Sequence, residues 1–161
     1  MIKEIFSFPN PVNENAARTV AFCVVVLAIA GFITNSIYIL SFLLYGFIAR
    51  VLTGPTLSPI GQFATRIIAP NLPKKNVAGP PKRFAQMIGL VCSSLILYFF
   101  IIEQHLLSDA ILSLLLLFAS LEAFVGFCAG CFIFNKLMKI GLVPESICEQ
   151  SNDGSLLQFL S

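Results

Sequence analysis

Residues 17–50 form one long apolar stretch, in which Thr34-Asn35-Ser36 is the only run of polar residues away from its ends. An α-helix rises about 1.5 Å per residue, and a bilayer core is about 30 Å thick, so about 20 residues cross it once. A single helix over the whole stretch would be far longer than the membrane is thick. The stretch therefore predicts two membrane-spanning helices, residues 16–33 and 37–52, with a turn at the three polar residues.

The composition agrees with a membrane protein and excludes several other classes. The chain has 161 residues, of which 57% are hydrophobic and 11% are charged, and its mean hydropathy is +0.90. A soluble domain has about 25% charged residues, which cover its water-facing surface. Because this chain lacks that charge, a soluble enzyme, a disordered chain and a nucleic-acid binder are excluded. We expect the lipid bilayer to be its main partner and no nucleic acid to bind.

Two further apolar segments complete a predicted bundle. Residues 81–102 follow Gly79-Pro80, and proline suits the first turn of a helix because its missing N–H is not needed there. Residues 109–136 follow a polar turn in which Ser108 or Asp109 can cap a helix. We therefore predict an all-α fold, in which the chain is a single membrane domain with four transmembrane helices.

The connection between the second and third predicted spans, residues 53–80, is the longest polar segment. Ile60, Phe63 and Ile67 recur in it at helical spacing. An apolar stripe of this kind is typical of a helix that lies in the membrane interface. The sequence therefore predicts a short amphipathic helix on the membrane surface in this loop.

Basic residues are concentrated on one side of the predicted bundle. With four spans, that side holds Arg18, Arg50, Arg66, Lys74, Lys75, Lys82, Arg83, Lys136 and Lys139. The two opposite turns carry Glu103, His105 and Asp109 but no Lys or Arg. Loops rich in Lys and Arg stay in the cytoplasm, so both termini are predicted to be cytoplasmic. The Lys74-Lys75 and Lys82-Arg83 pairs are expected to contact lipid headgroups and fix this orientation.

Four motifs spread over most of the chain point to a family. They are FPNPVNE at residues 8–14, GPTLSP at 54–59, GPPKRFAQ at 79–86 and EAFVGFCAGC at 122–131. In these motifs the chain resembles the bacterial membrane proteins grouped as domain of unknown function 4395. The resemblance implies a small four-span bundle without an assigned activity, in the bacterial cytoplasmic (inner) membrane.

Cys128-Ala129-Gly130-Cys131 is the sharpest candidate for chemistry. On a helix, C-x-x-C brings two sulfurs to one face, which allows a redox disulfide or two ligands to one metal. In redox proteins a helix N-terminus lowers the pKa of the first cysteine. This pair is predicted near the C-terminal end of the fourth helix, where the helix dipole opposes a thiolate, with Lys136 and Lys139 offsetting part of that effect. Cys128 and Cys131 are thus the candidate catalytic thiols.

The same segment has a purely structural interpretation. Ala119, Ala123, Gly126 and Gly130 would share one face of a continuous helix. Stripes of small residues let helices pack closely in lipid. The glycines around the cysteines therefore have a packing explanation that needs no thiol chemistry, and both interpretations stay open.

No metal site and no cofactor are expected from the sequence. A zinc site usually takes four Cys or His ligands. Cys128, Cys131 and Cys148 give three on one side of the predicted bundle, and His105 lies on the other side.

Glu122 is the one acid deep within a predicted span. Ionisable groups there usually face the bundle interior or a partner. A continuous helix would turn it away from both thiols, so a hydrogen-bonded structural acid and a proton-handling acid are equally plausible. Cys23 and Cys92, also within spans, are interpreted as small buried apolar residues.

Two functions follow as hypotheses. The first is a membrane protein that handles thiol/disulfide or sulfur chemistry through Cys128 and Cys131, with a thiol or sulfur-transfer protein as partner. The second is a structural or accessory subunit of a larger membrane complex, without its own catalysis.

Overall fold

Long apolar helices make up most of the structure. The computed structural model describes residues 12–77 and 79–142. Its helices are α1 (Glu14–Thr34), α2 (Ile37–Thr53), α3 (Pro59–Phe63), α4 (Gly79–Ile101), α5 (His105–Ser120) and α6 (Ala129–Lys139). The predicted all-α class is confirmed.

Three helical segments are long and apolar enough to cross a membrane. They are α1, α4, and α5 together with the π-helical turn Leu121–Val125 that continues it. Helix α2 is apolar but shorter, at 17 residues. The chain turns sharply between α1 and α2 because Asn35 adopts a left-handed conformation with φ 46°, and its N–H donates to the carbonyl of Gly31.

The core lies where α1, α2, α4 and α5 meet. Its most buried large side chains are Leu43, Ile96 and Leu112. Helices α2 and α4 approach closely because Gly89 has no side chain where the Phe47 ring lies. A Cβ on Gly89 would lie 2.2 Å from Cε1 of Phe47. Tight packing of this kind fixes the relative position of the helix ends.

A short helix, α3, lies in the loop after α2. Helix α3 continues as a π-helical turn, Ala64–Ile68, and a 3-10 turn, Ala69–Asn71. Ala64 and Ala69 are buried against α1, whereas Phe63 and Ile67 are exposed. Two short strands, β1 (Val12–Asn13) and β2 (Asn76–Val77), then pair in antiparallel fashion and hold the loop beside the start of α1.

The predicted fourth helix, residues 109–136, is divided in two in the structure. Gly126 has a left-handed conformation with φ 77° and ends the π-helical turn. Cys128 is extended, and α6 begins with the next residue. Hydropathy does not reveal this break, since apolar residues continue through it. The prediction that the cysteine pair lies near the C-terminal end of a long helix was wrong, because the pair begins a new one.

Candidate thiol site

One end of the bundle collects the candidate functional residues. The Nε and Nη2 atoms of Arg18 on α1 donate to the carbonyls of Ala123 and Phe124, at 3.3 and 3.1 Å. Nε of Arg50, near the end of α2, donates to Oε1 of Gln86 on α4 at 3.0 Å. The start of α1, the end of α2, the start of α4 and the end of α5 therefore meet here. We call this end of the bundle the thiol end.

Cys128 and Cys131 form a thiol pair at the start of α6. Cys128 is the N-cap residue, and its Sγ accepts a hydrogen bond from the backbone N–H of Cys131 at 3.3 Å. Both thiols are free, with Cys128 buried and Cys131 partly buried. The orphan N–H groups and the dipole of a helix N-terminus favour negative charge. The predicted effect of the helix dipole was therefore wrong in sign.

The two sulfurs differ in acidity. Hydrogen bonding from the Cys131 side chain, with help from the Cys131 N–H, lowers the pKa of Cys128 below 9.0 even though burial opposes this. The pKa of Cys131 is raised, because its proton is held in that hydrogen bond and because the thiol is buried. Cys128 is thus the more acidic thiol of the pair.

A buried ion pair lies beside the thiols. Nζ of Lys82 on α4 and Oε1 of Glu122 in the π-helical turn are 2.6 Å apart, and the two side chains are 8% and 16% exposed. Both charges act electrostatically on Cys128 and Cys131, Lys82 favouring the Cys128 thiolate and Glu122 opposing it. The prediction that Glu122 faces away from the thiols was wrong, because it assumed one regular helix through Gly126.

A cavity of about 90 Å³ adjoins the pair between α1, α4, α5 and α6. Its walls include Cys128, Glu122, Gln86 and Cys92. Helix α6 lies directly on α4 there, since a Cβ on Gly130 would be 2.5 Å from Cα of Ala85. Small-residue packing therefore explains Gly130. Gly126 has a different role, which is to end the helix before Cys128.

The remaining candidates are dispersed. Cys23 is a free, partly buried thiol on α1. His105 begins α5 at the opposite end of the bundle, where its ring packs on Phe100 with 5.2 Å between ring centroids. Cys148 lies outside the described residues. Within residues 12–77 and 79–142, no three His, Cys, Asp or Glu side chains are grouped so that they could hold a metal ion.

Sequence reasoning missed Lys82, Gln86 and Arg50 as parts of this region. Lys82 was expected to contact headgroups, yet it is 6% exposed as a residue and paired with Glu122. The position of Lys82 just inside an apolar span could have indicated a buried partner, since ionisable groups at such positions usually have one.

We expect Gly126→Ala to reduce the reactivity of Cys128. A non-glycine residue in the left-handed region costs about 1–2 kcal/mol. The variant therefore favours continuation of α5, which would remove Cys128 from the start of α6. Alkylation by iodoacetamide near pH 7, followed by intact-protein mass spectrometry, should be about tenfold slower than in the native protein.

Gly141→Ala is the matched control for this variant. Gly141 is also left-handed, with φ 85°, and nothing lies within 4 Å of an added Cβ. It should suffer the same backbone strain and keep the native alkylation rate. Equal rates in both variants would show that the helix break does not control the thiol.

The fold and the site together define an all-α protein whose apolar helices are consistent with a membrane protein and which carries a thiol pair at a helix N-terminus. The model of the family described as domain of unknown function (DUF4395) matches residues 12–139, and the chain belongs to this family. No curated protein matches the chain. No solved structure matches it.

Proposed function

We propose that this protein is a membrane thiol–disulfide exchange protein in which Cys128 is the attacking thiolate and Cys131 the resolving thiol. The observation that carries the proposal is the hydrogen bond from the N–H of Cys131 to Sγ of Cys128 at the start of α6. A thiolate stabilised in this way is a nucleophile near neutral pH. The acidity difference between the sulfurs assigns their order of action.

The proposed exchange balances without any cofactor. The Cys128 thiolate attacks one sulfur of a substrate disulfide, forming a mixed disulfide and releasing the other substrate sulfur as a thiolate. Cys131 then loses its proton and attacks Sγ of Cys128, which releases the second substrate thiolate. The Cys131 proton and one proton from solvent, equal to the one that Cys128 lost on ionising, end on the two released sulfurs. The substrate gains two electrons, and the pair becomes a disulfide that a dithiol reductant, such as a partner protein with its own thiol pair, returns to the reduced state.

We further propose that α2 is a fourth span and that the thiol end faces the cytoplasm of a bacterial inner membrane. Seventeen residues at about 1.5 Å each give about 26 Å, close to the thickness of a bilayer core. Arg18, Arg50, Lys75 and Lys82 lie at the thiol end, as the positive-inside rule requires for a cytoplasmic side. In this arrangement α6 and the cysteine pair follow the last span and lie outside it.

In the same arrangement α3 lies in the membrane interface. Phe63 and Ile67 are 47% and 54% exposed, while the opposite side of the segment packs on α1. Exposed aromatic and aliphatic side chains on one side of a short loop helix support shallow insertion among headgroups.

A disulfide titration tests the exchange reaction. The background is the full chain in mild detergent, with Cys23, Cys92 and Cys148 replaced by alanine or serine. Dipyridyl disulfide should release two equivalents of thiopyridone from this protein and leave an internal disulfide. With Cys131→Ser added, it should release one equivalent and leave a stable mixed disulfide on Cys128.

Failure of the internal disulfide to form would contradict the proposal. In that case the other hypothesis, an accessory subunit without catalysis, would account for the chain. That role predicts that the protein copurifies with a larger membrane complex in mild detergent, and that the Cys128→Ser, Cys131→Ser double variant assembles normally.

A further inference from the structure

A second cavity, of about 240 Å³, lies at the thiol end and shares the lining residues Val20 and Gln86 with the first. Its polar lining residues are Asn13, Arg50, Thr65, Lys82 and Gln86. No Asp or Glu is among the described residues that line it. The rest of its wall is made by small or apolar side chains and by loop backbone. The cavity wall is therefore mostly apolar, with a few polar and basic side chains in it.

Arg50 is the residue that calls for an explanation. It is 4% exposed, and its Nε donates to Gln86. Its Nη1 and Nη2 atoms are buried and have no hydrogen-bond partner among the residues that the structure describes. A buried charged donor without an acceptor is strongly unfavourable, and nearly all buried polar groups have partners.

The Arg50 guanidinium packs between an aromatic ring and a glycine. Its plane packs over the Phe47 ring, with Cζ 4.5 Å from the ring centroid. Nη1 lies 3.2 Å from where a Cβ on Gly46 would be, so the glycine leaves space for it. The guanidinium is thus held by Gly46, Phe47 and Gln86 at the wall of the cavity, with two nitrogens that lack an acceptor among the described residues.

The charges around the cavity favour an anionic ligand. Arg50 and Lys82 contribute two positive charges, and Glu122, paired with Lys82, contributes one negative charge. One positive charge is left in excess among these three side chains. A planar guanidinium fork matches two oxygens of one oxyanion, and a nearby ammonium adds a point charge.

We propose that this cavity binds an oxyanion of the phosphate or sulfate type, held by the guanidinium of Arg50 with Lys82 beside it. A water molecule occupies about 30 Å³, so the cavity has room for a tetrahedral oxyanion and part of the group that carries it. The same chemistry is offered by a free inorganic anion and by a phospholipid headgroup. The site does not depend on the cysteines.

Thermal unfolding of the delipidated full chain in mild detergent tests the site. Sodium phosphate should raise Tm by about 3 °C or more at a tenfold excess over Kd, relative to sodium chloride of equal ionic strength. Phosphatidylglycerol, compared with an uncharged monoacylglycerol, is the second ligand. Stabilisation by phosphate alone identifies a free anion, and stabilisation by the lipid alone identifies a headgroup. No stabilisation by either would overturn the proposal.

Variants of Arg50 separate binding from general salt effects. Arg50→Met should abolish the ligand-dependent shift while leaving Tm without ligand equal or higher, because it removes an unpaired buried charge. Arg50→Lys, which keeps the charge but loses the fork, should reduce the shift at least by half and covers the case in which the methionine variant does not fold. A full shift in a folded Arg50 variant would contradict the site.

Two controls complete the design. Arg66→Met removes an exposed arginine from the same loop region, and it should keep the full shift. The Cys128→Ser, Cys131→Ser variant should also keep it, so that failure of the thiol proposal and failure of the anion site are recognised separately.

Discussion

Replacing Cys128 by serine is expected to slow alkylation of the thiol pair near pH 7 by tenfold or more, whereas replacing Cys131 should leave most of the reactivity. The asymmetry arises because the N-cap position belongs to Cys128. In the Cys131→Ser variant, the backbone N–H still donates to Sγ of Cys128, and a hydroxyl replaces the thiol donor. In the Cys128→Ser variant, the remaining sulfur lies inside the first turn of α6, where burial disfavours its thiolate.

The pH dependence of this labelling shows whether the fold lowers or raises the pKa of each thiol. The folded pKa of Cys128 lies below 9.0, so its alkylation should persist below that pH and fall as pH drops through the lowered pKa. By linkage, the thiolate contributes to the free energy of unfolding above 9.0 and loses that contribution as pH falls through the lowered pKa. The raised pKa of Cys131 acts in the opposite direction, since its contribution is present below 9.0 and is lost as pH rises towards the raised pKa.

The measurement is iodoacetamide labelling across pH, in the background without Cys23, Cys92 and Cys148. The Cys131→Ser variant should show a labelling midpoint below 9.0, and the Cys128→Ser variant a midpoint at or above it. Identical profiles in the two variants would show that neither sulfur is favoured by the helix N-terminus, and the order of attack proposed for the exchange would be wrong.

The helices were largely predictable from the sequence because hydropathy and length identify segments that could cross a membrane as helices. The turn at Asn35 is an example, since a polar residue that tolerates a left-handed conformation interrupts an otherwise apolar run. The break at Gly126 was not predictable in the same way. Gly126 stands among apolar residues, and a glycine in that context is equally typical of helix packing.

The site depends on contacts that no local pattern encodes. Lys82 and Glu122 are 40 residues apart and meet only because α4 and α5 are adjacent. The cysteine spacing identified a thiol pair, but the direction of the helix dipole at that pair follows from the backbone at Gly126. In the sequence, Arg50 indicates only the cytoplasmic end of a predicted span. Its burial beside a cavity, which suggests a ligand, is seen only in the structure.

Removing either partner of the Lys82–Glu122 pair is expected to lower the free energy of unfolding by about 3 kcal/mol. Lys82→Met leaves a carboxylate without its partner, and Glu122→Gln leaves a buried ammonium. The Lys82→Met, Glu122→Gln double variant should recover most of the loss, because it leaves no unpaired charge. Denaturant unfolding of the four proteins in mild detergent gives the coupling energy as a double-mutant cycle.

The pair of Lys75 and Glu14, in which the lysine is exposed and the Glu14 side chain is 12% exposed, is the matched control. Its two charges are 2.8 Å apart, but the Lys75 side chain is 58% exposed, so Lys75→Met should change stability by less than about 1 kcal/mol.

The thiols supply a readout that a purely structural ion pair would not affect. Glu122→Gln should lower the labelling midpoint of Cys128 and Lys82→Met should raise it, since one removes a negative charge and the other a positive charge near the same thiolate. Loss of stability without these opposite shifts would mean that the pair holds helices together and does not tune the nucleophile.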